Sequence, residues 1–180
     1  MEKPVPPLRD YTQIVDFPTE ITMTPIGVVR SSYTERHGTP RQPVVPDGKH
    51  LDEPATVVLD PARIKPRALN DLAGFDRVWL ITVFHLNPHA ATTVKPPRGD
   101  RRRGVMATRS PHHPNRIGLS AVRLERVEGL TLHLRGVDLI DGTPVLGVKP
   151  YVPYCDAFPD SAAGWVDEVS AEPTDSDKRG

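Results

Sequence analysis

Residues 117–134, IGLSAVRLERVEGLTLHL, read as two strands and the turn that joins them. Ile117 to Val127 is long and largely β-patterned, Glu128-Gly129 is a two-residue turn signal, and Leu130, Leu132 and Leu134 alternate with polar residues. Just upstream, GVMATRSPHHPNRIGLS at 104–120 runs from a strand into a loop and back into the first strand of the hairpin. Pro111 and Pro114 fix φ there and lower the entropy lost on ordering, so Arg109, Ser110, His112, His113, Asn115 and Arg116 are expected to form a preorganised polar site.

Working outward, VWLITVF at 78–84 is apolar on both faces and predicts a central strand buried on both sides, with Trp79 in the core. Ala55 to Leu59 is a short β-branched strand, and ITMTPIGVVRSS from Ile21 predicts another, with Pro25 at an edge or bulge. Val137 to Ile140 and Val145 to Val148 predict strands on either side of the turn Asp141-Gly142-Thr143-Pro144. Asp60-Pro61 offers an N-cap and an N1 proline for a helical segment reaching about Leu72, which Pro66 shortens or breaks. The segments 33–54 and 85–103 have no sustained apolar pattern and predict long excursions. With 21 prolines in 180 residues, about twice the average usage, the chain is expected to lack long helices.

The predicted fold is mainly β: a small antiparallel sheet that curls or closes into a β-barrel with short helices and no Rossmann sheet, ahead of an α+β sandwich. Residues 1–20 are expected to be an N-terminal arm, 21–158 one domain, and 159–180 an acidic C-terminal tail docked through Trp165.

Positive and negative residues balance at 23 each, so net charge names no partner, but between Lys95 and Arg116 lie seven basic residues against one acid, Asp100. One cysteine, Cys155, excludes an intrachain disulfide, fits a reducing compartment, and is expected to be a packed structural thiol. The N-terminal residues lack a signal-peptide core and the longest apolar run is too short for a bilayer, which together predict a cytoplasmic protein. Glycine-rich nucleotide loops, G-x-S-x-G and C-x-x-C are missing. His85 and His89 have i, i+4 spacing, yet Pro88 and the preceding strand argue against the helix that would make them metal ligands. Arg41 and Gln42, held between Pro40 and Pro43, could grip a carboxylate or a base edge.

Four blocks in order carry a resemblance: PRQP at 40–43, LAGFDRVWLITVFHLN at 72–87, VKPPRGDRRRGVMATRSPHHPNRIGLS at 94–120 and DLIDGTPVLGVKPYVPYCD at 138–156. The chain thereby resembles the TsaA-like family, the TrmO type of S-adenosylmethionine-dependent tRNA methyltransferase, over residues 25 to about 156. The resemblance implies a dimeric, non-Rossmann barrel that binds S-adenosylmethionine and methylates N6 of threonylcarbamoyladenosine beside the anticodon. It also implies cofactor contacts at Pro40, Arg41 and Gln42, at His85 and Leu86, at Arg109 and Leu119, and at Asp141, Gly142, Thr143 and Pro144. Leu86 stands where the family usually has glutamine, and Gly147 departs from its D-I-K-P-Y run. Arg101, Arg102 and Arg103 are expected to contact phosphates of the anticodon stem-loop. His85, Tyr151, Tyr154 and Asp141 are candidates by chemistry for a proton acceptor, with no choice among them. Rival readings are a non-enzymatic RNA-binding barrel and a methyltransferase acting on a small molecule.

Overall fold

The computed structural model describes residues 19–35, 39–40, 52–97 and 99–171. Six strands close a barrel: β1 (Gly27–Arg30), β2 (Pro54–Leu59), β3 (Arg77–Val83), β6 (Ile117–Glu128), β7 (Thr131–Arg135) and β8 (Pro144–Pro150), in the order β1-β2-β7-β6-β3-β8. Every pairing is antiparallel. A separate two-stranded ribbon joins β4 (Thr93–Val94) to β5 (Arg103–Gly104), and two short helices follow the barrel, α1 (Pro153–Asp156) and α2 (Trp165–Ala171).

Inward positions alternate along each strand, as the two-residue side-chain period of a pleated strand requires. Val78 and Leu80 of β3, Val122 of β6, Leu132 and Leu134 of β7 and Val145 of β8 are fully buried and meet inside the barrel. Two irregularities, between Ile81 and Thr82 on the β3–β8 pair and between Leu124 and Arg126 on the β6–β7 pair, add the local twist that curls a sheet into closure.

The predicted hairpin forms with its turn one residue later. Glu128 pairs with Thr131, leaving Gly129-Leu130 as the loop, and Gly129 takes the positive φ of 59° that a tight hairpin turn asks of its first central residue.

Other expectations are corrected. The first strand begins at Gly27 rather than Ile21, because Pro25 has no N–H and the first ladder bond comes from Ile26 N–H to Val145 O at 2.7 Å. The helix expected from Asp60 to Leu72 is instead a turn, in which Asp60 Oδ1 accepts from Ala62 N–H, followed by 3-10 turns at Pro66–Leu69 and Leu72–Gly74. Pro66 at the start of the first 3-10 turn is where a continuous helix is interrupted.

β3 lies between β6 and β8, but in a closed barrel no strand is central, and only one of its faces is fully buried. Trp79 lies on the other face, half-buried, donating from Nε1 to Asp156 Oδ2 at 3.0 Å, so it is not a core residue. Val137 to Ile140 is not a strand, although Val137 and Leu139 are buried. Gly136, at φ 70°, turns the chain there, and Ser31 Oγ donates to Leu139 O at 2.8 Å. Cys155 is exposed on α1 instead of packed.

Candidate functional site

The site is built where β3 ends and β6 begins. Phe84 N–H donates to Arg116 O at 2.9 Å, which ties the two loops together at their base. From there they are stitched by Ala91 N–H to His112 O at 2.9 Å, by Asn87 Nδ2 to Pro111 O at 2.8 Å, and by His112 Nδ1 against His89 O at 3.0 Å. Arg116 adds a bond from its guanidinium to Asn87 O at 3.2 Å while holding a positive φ of 51°. Within the proline loop, His113 Nε2 meets Thr108 O at 2.9 Å and Thr108 Oγ1 donates to Val105 O at 2.8 Å. The polar side chains that the sequence grouped as one site thus divide by role. His112, His113 and Arg116 hold loop backbone, whereas Arg109 is exposed and makes no hydrogen bond to a described residue.

The Arg109 charge acts on a buried polar cluster that sequence reasoning missed. The Asp138 carboxylate accepts from Ser120 Oγ at 2.7 Å. Burial pushes its pKa above the ordinary aspartate value, against the opposing pulls of Ser120 and of the Arg109 charge. Thr82, fully buried across β3–β6 from Gly118, leaves its Oγ1 without a partner among the described residues. The available signal was positional: Thr82 and Ser120 are the polar members of otherwise small or apolar inward series, Val78-Leu80-Thr82 and Gly118-Ser120-Val122.

Two predictions arise here. Thr82→Val keeps the shape and removes the unpartnered hydroxyl, so it is expected to stabilise the fold by about 1 kcal/mol in a denaturant melt. Because the folded state holds the Asp138 proton more tightly than the unfolded chain, Asp138 contributes stability below the ordinary aspartate pKa and loses it as pH rises through its raised folded value. Asp138→Asn should flatten that acid-side slope of stability against pH, and an unchanged slope would show that Asp138 does not set it.

The Asp141–Pro144 turn lies against β1. Asp141 Oδ1 accepts from Ser31 N–H at 3.2 Å and its Oδ2 from Arg30 at 3.4 Å. Gly142, at φ 78°, donates its N–H to Val29 O, and buried Thr143 donates its hydroxyl to Ile140 O at 2.6 Å. These side chains first of all hold the turn. Next to it, the Tyr33 hydroxyl is pushed up by burial and then by Glu53.

His85 and Leu86 form a turn directly after β3, so the i, i+4 helix face with His89 does not exist. Leu86 is 62% exposed and Leu119, on the outer face of β6 opposite Ile81, is 57% exposed. Pro40 is half-buried, and Arg41 and Gln42 lie outside the described residues. Tyr151 and Tyr154 belong to the opposite end of β3, where Tyr151 N–H donates to Arg77 O, which separates them from His85.

Of the three arginines, Arg101 is exposed, but Arg102 donates to Thr93 Oγ1 and Thr93 O at 3.0 and 2.7 Å and pins the β4–β5 ribbon. Arg103 sits 5.1 Å from the Trp165 ring centre and 3.5 Å from Glu168, while Trp165 Nε1 donates to Ala107 O at 2.7 Å. A cleft of about 450 Å³ crosses β1, β2, β7 and β6 between Arg30, Thr56, Arg126, His133 and Arg135; no described residue singled out by the resemblance lines it, but Arg30 and Ser31 on its wall are the partners of Asp141.

Comparison with known proteins bears on this arrangement. Residues 28–157 match the family described as tRNA-methyltransferase O N-terminal domain. A Pseudomonas aeruginosa relative, 44% identical over 150 residues, carries "S-adenosylmethionine-dependent methyltransferase RcsF" in its name, and the match covers 81% of this chain and 63% of the relative. The tRNA (adenine(37)-N6)-methyltransferase of Escherichia coli is 38% identical over 158 residues, covering 81% of this chain and 64% of the relative. A crystal structure of TrmO from Pseudomonas aeruginosa superposes with a TM-score of 0.68 at 42% identity, over 82% of this chain and 63% of that one. The chain therefore spans just under two thirds of the length of these three proteins.

Proposed function

The chain belongs to the tRNA-methyltransferase O N-terminal domain family, and on that premise we propose that it transfers the methyl group of S-adenosylmethionine to N6 of an adenosine beside the anticodon of tRNA. The observation that carries the reading is the match to residues 28–157, which takes in the closed barrel and both stitched loops around Arg109. The relatives' names supply the cofactor and the reaction.

Methyl transfer from a sulfonium is an in-line displacement that disperses charge, so the protein's task is chiefly to position and to exclude water. The residues here suit that task. The prolines and backbone bonds of the loops hold Arg109 in place, its guanidinium offers several donors to a cofactor carboxylate or base, and Leu86 and Leu119 offer exposed apolar contact. Pro40, Arg41, Gln42, His85 and the Asp141–Pro144 turn complete the proposed cofactor contacts. Arg101 supplies a proposed phosphate contact from the β4–β5 ribbon, with Arg102 and Arg103 beside it. We further infer a homodimer in the cytoplasm. Half-exposed Ile117 and Leu119 on the outer face of β6 offer an apolar surface for a second copy, and among the described residues no helix is long and apolar enough to cross a membrane.

The test is mass spectrometry of tRNA nucleosides from a deletion strain and its complemented counterpart, followed by purified protein on tRNA with and without the threonylcarbamoyl group. Methylation restored on complementation and dependent on that group is the expected result. Cofactor binding without methylation of either tRNA would overturn the proposed substrate. Sedimentation at micromolar concentration checks the dimer.

A further inference from the structure

We propose that a single-stranded stretch of RNA lies across the outer face of the barrel, its phosphates on the row Arg77–Arg123–Arg135 and a base stacked on the exposed aromatic segment that ends β8. The inference rests on the proposed tRNA substrate and adds the surface that holds it.

The row is fixed by register. Arg77 of β3 is opposite Arg123 of β6, which is in turn opposite Arg135 of β7. Their neighbours Val78, Val122 and Leu134 point into the core, so all three guanidiniums project outward from adjacent strands. Like charges directly opposite one another on a sheet are destabilising. Glu125 relieves one end by accepting from Arg135 Nε at 2.5 Å, and Glu128 lies 3.7 Å from Arg126. The Arg123 side chain, in the middle, makes no close ion pair or hydrogen bond with a described residue, and only the charge of Glu125, already bonded to Arg135, reaches it. A polyanion laid along the row would relieve it, and guanidiniums suit phosphate oxygens through their planar fork.

The aromatic segment begins beside the same arginines. Tyr151 N–H donates to Arg77 O at 3.0 Å and its ring stands 5.5 Å from that of Trp79. The Asp156 carboxylate, held below the usual carboxylate range by the Val152 N–H and then by Trp79, accepts both at Oδ2, at 2.8 and 3.0 Å. These bonds pin α1 onto β3 while Tyr154 stays 89% exposed and Phe158 68% exposed. An aromatic ring on fixed backbone can stack on any nucleobase, provided the base is not already stacked in a duplex. Guanidiniums in a row next to such rings therefore favour single-stranded RNA.

The surface also lies at a useful distance. Arg77 and Val83 are the two ends of β3, six residue steps of about 3.3 Å apart, so the row is roughly 20 Å from the stitched loops. It would hold loop nucleotides several positions from the reacting one.

The experiment is titration of a fluorescently labelled anticodon stem-loop RNA, without cofactor, at several salt concentrations, with thermal melts of each protein alongside. Arg123→Ala should weaken RNA binding several-fold, lower the salt slope by about 1, and leave the melting temperature unchanged or higher because the like-charge row is relaxed. Arg123→Lys should keep the slope. Tyr154→Ala should weaken binding about five- to 100-fold with the slope unchanged. Wild-type binding that neither Arg123→Ala nor Tyr154→Ala alters would overturn this surface alone and leave the substrate proposal standing. Equal losses in Arg123→Ala and Arg123→Lys would overturn the phosphate contact. A wild-type protein that binds no RNA at low salt would overturn both this surface and the proposed substrate.

Discussion

Arg109→Ala is expected to weaken S-adenosylmethionine binding by about 1.5–3 kcal/mol, roughly ten- to 150-fold, the range for hydrogen bonds to charged groups. The size follows from how the residue is held. Thr108 and His113 fix the loop backbone through Val105 O and Thr108 O, so the chain that carries the exposed guanidinium is already ordered and only side-chain freedom remains to be lost on binding. The Arg109 side chain carries no hydrogen bond to a described residue, so its removal should leave the loop intact, and the variant should melt close to the wild type, less the small support its charge gives ionised Asp138. Arg109→Lys should recover little, because an ammonium lacks the planar fork. Calorimetry of folded Arg109→Ala with unchanged affinity would remove the residue from the cofactor site.

The second large effect concerns stability. A Cβ added at Gly118 would overlap Thr82 Oγ1 and approach Phe84 Cζ to 3.0 Å, inside a barrel where Thr82 is fully buried. Overpacking a filled core costs about 1–3 kcal/mol, and here the obstruction comes from a side chain pinned between β6 and β8, so Gly118→Ala should fall at the upper end. Phe84 also opens the stitched loops, and the variant should therefore lose cofactor binding along with stability. Combining it with Thr82→Ala should restore much of both, since the two residues contest one volume. Denaturant melts in which the double substitution adds up from the single ones would refute that coupling.

Strand existence was legible because it rests on local pattern: the alternation at 117–134, the β-branched run at 55–59 and the turn chemistry of Gly129 and Gly142 are all readable from neighbouring residues. What failed depended on partners distant in sequence. Nothing near VWLITVF shows that one face meets the core while the other carries Trp79 against Tyr151 and α1, and Trp79 reads as core until Asp156, 77 residues on, is seen to accept its N–H. Val137 to Ile140 has a strand's composition, yet its backbone is tied to Ser31 at Leu139 O, and that of the next residue, Asp141, to Tyr33, both more than 100 residues earlier in the chain.

The site divided in the same way. Arg109 was singled out because a proline-punctuated loop advertises itself, and its place among the proposed cofactor contacts, like the other clusters, came from resemblance rather than from residue chemistry. Asp138 and Ser120 were missed because their bond joins the end of the hairpin to a point 18 residues back, through a bulged register that no sequence window contains. The arginine row was hidden for the same reason: Arg77, Arg123 and Arg135 are unremarkable singly and adjacent only after pairing.

Closure of the sheet limits how the protein can fail. A barrel offers no free ladder to a neighbouring chain, so aggregation through strand addition must wait until one seam opens. The β1–β8 seam is the thinnest, with two register pairs, Gly27↔Val145 and Val28↔Pro144, against seven between β3 and β6. Amide hydrogens of Ile26, Val29 and Gly142, which bridge that seam, should exchange before those of β3, and the edges uncovered there are where misassembly begins.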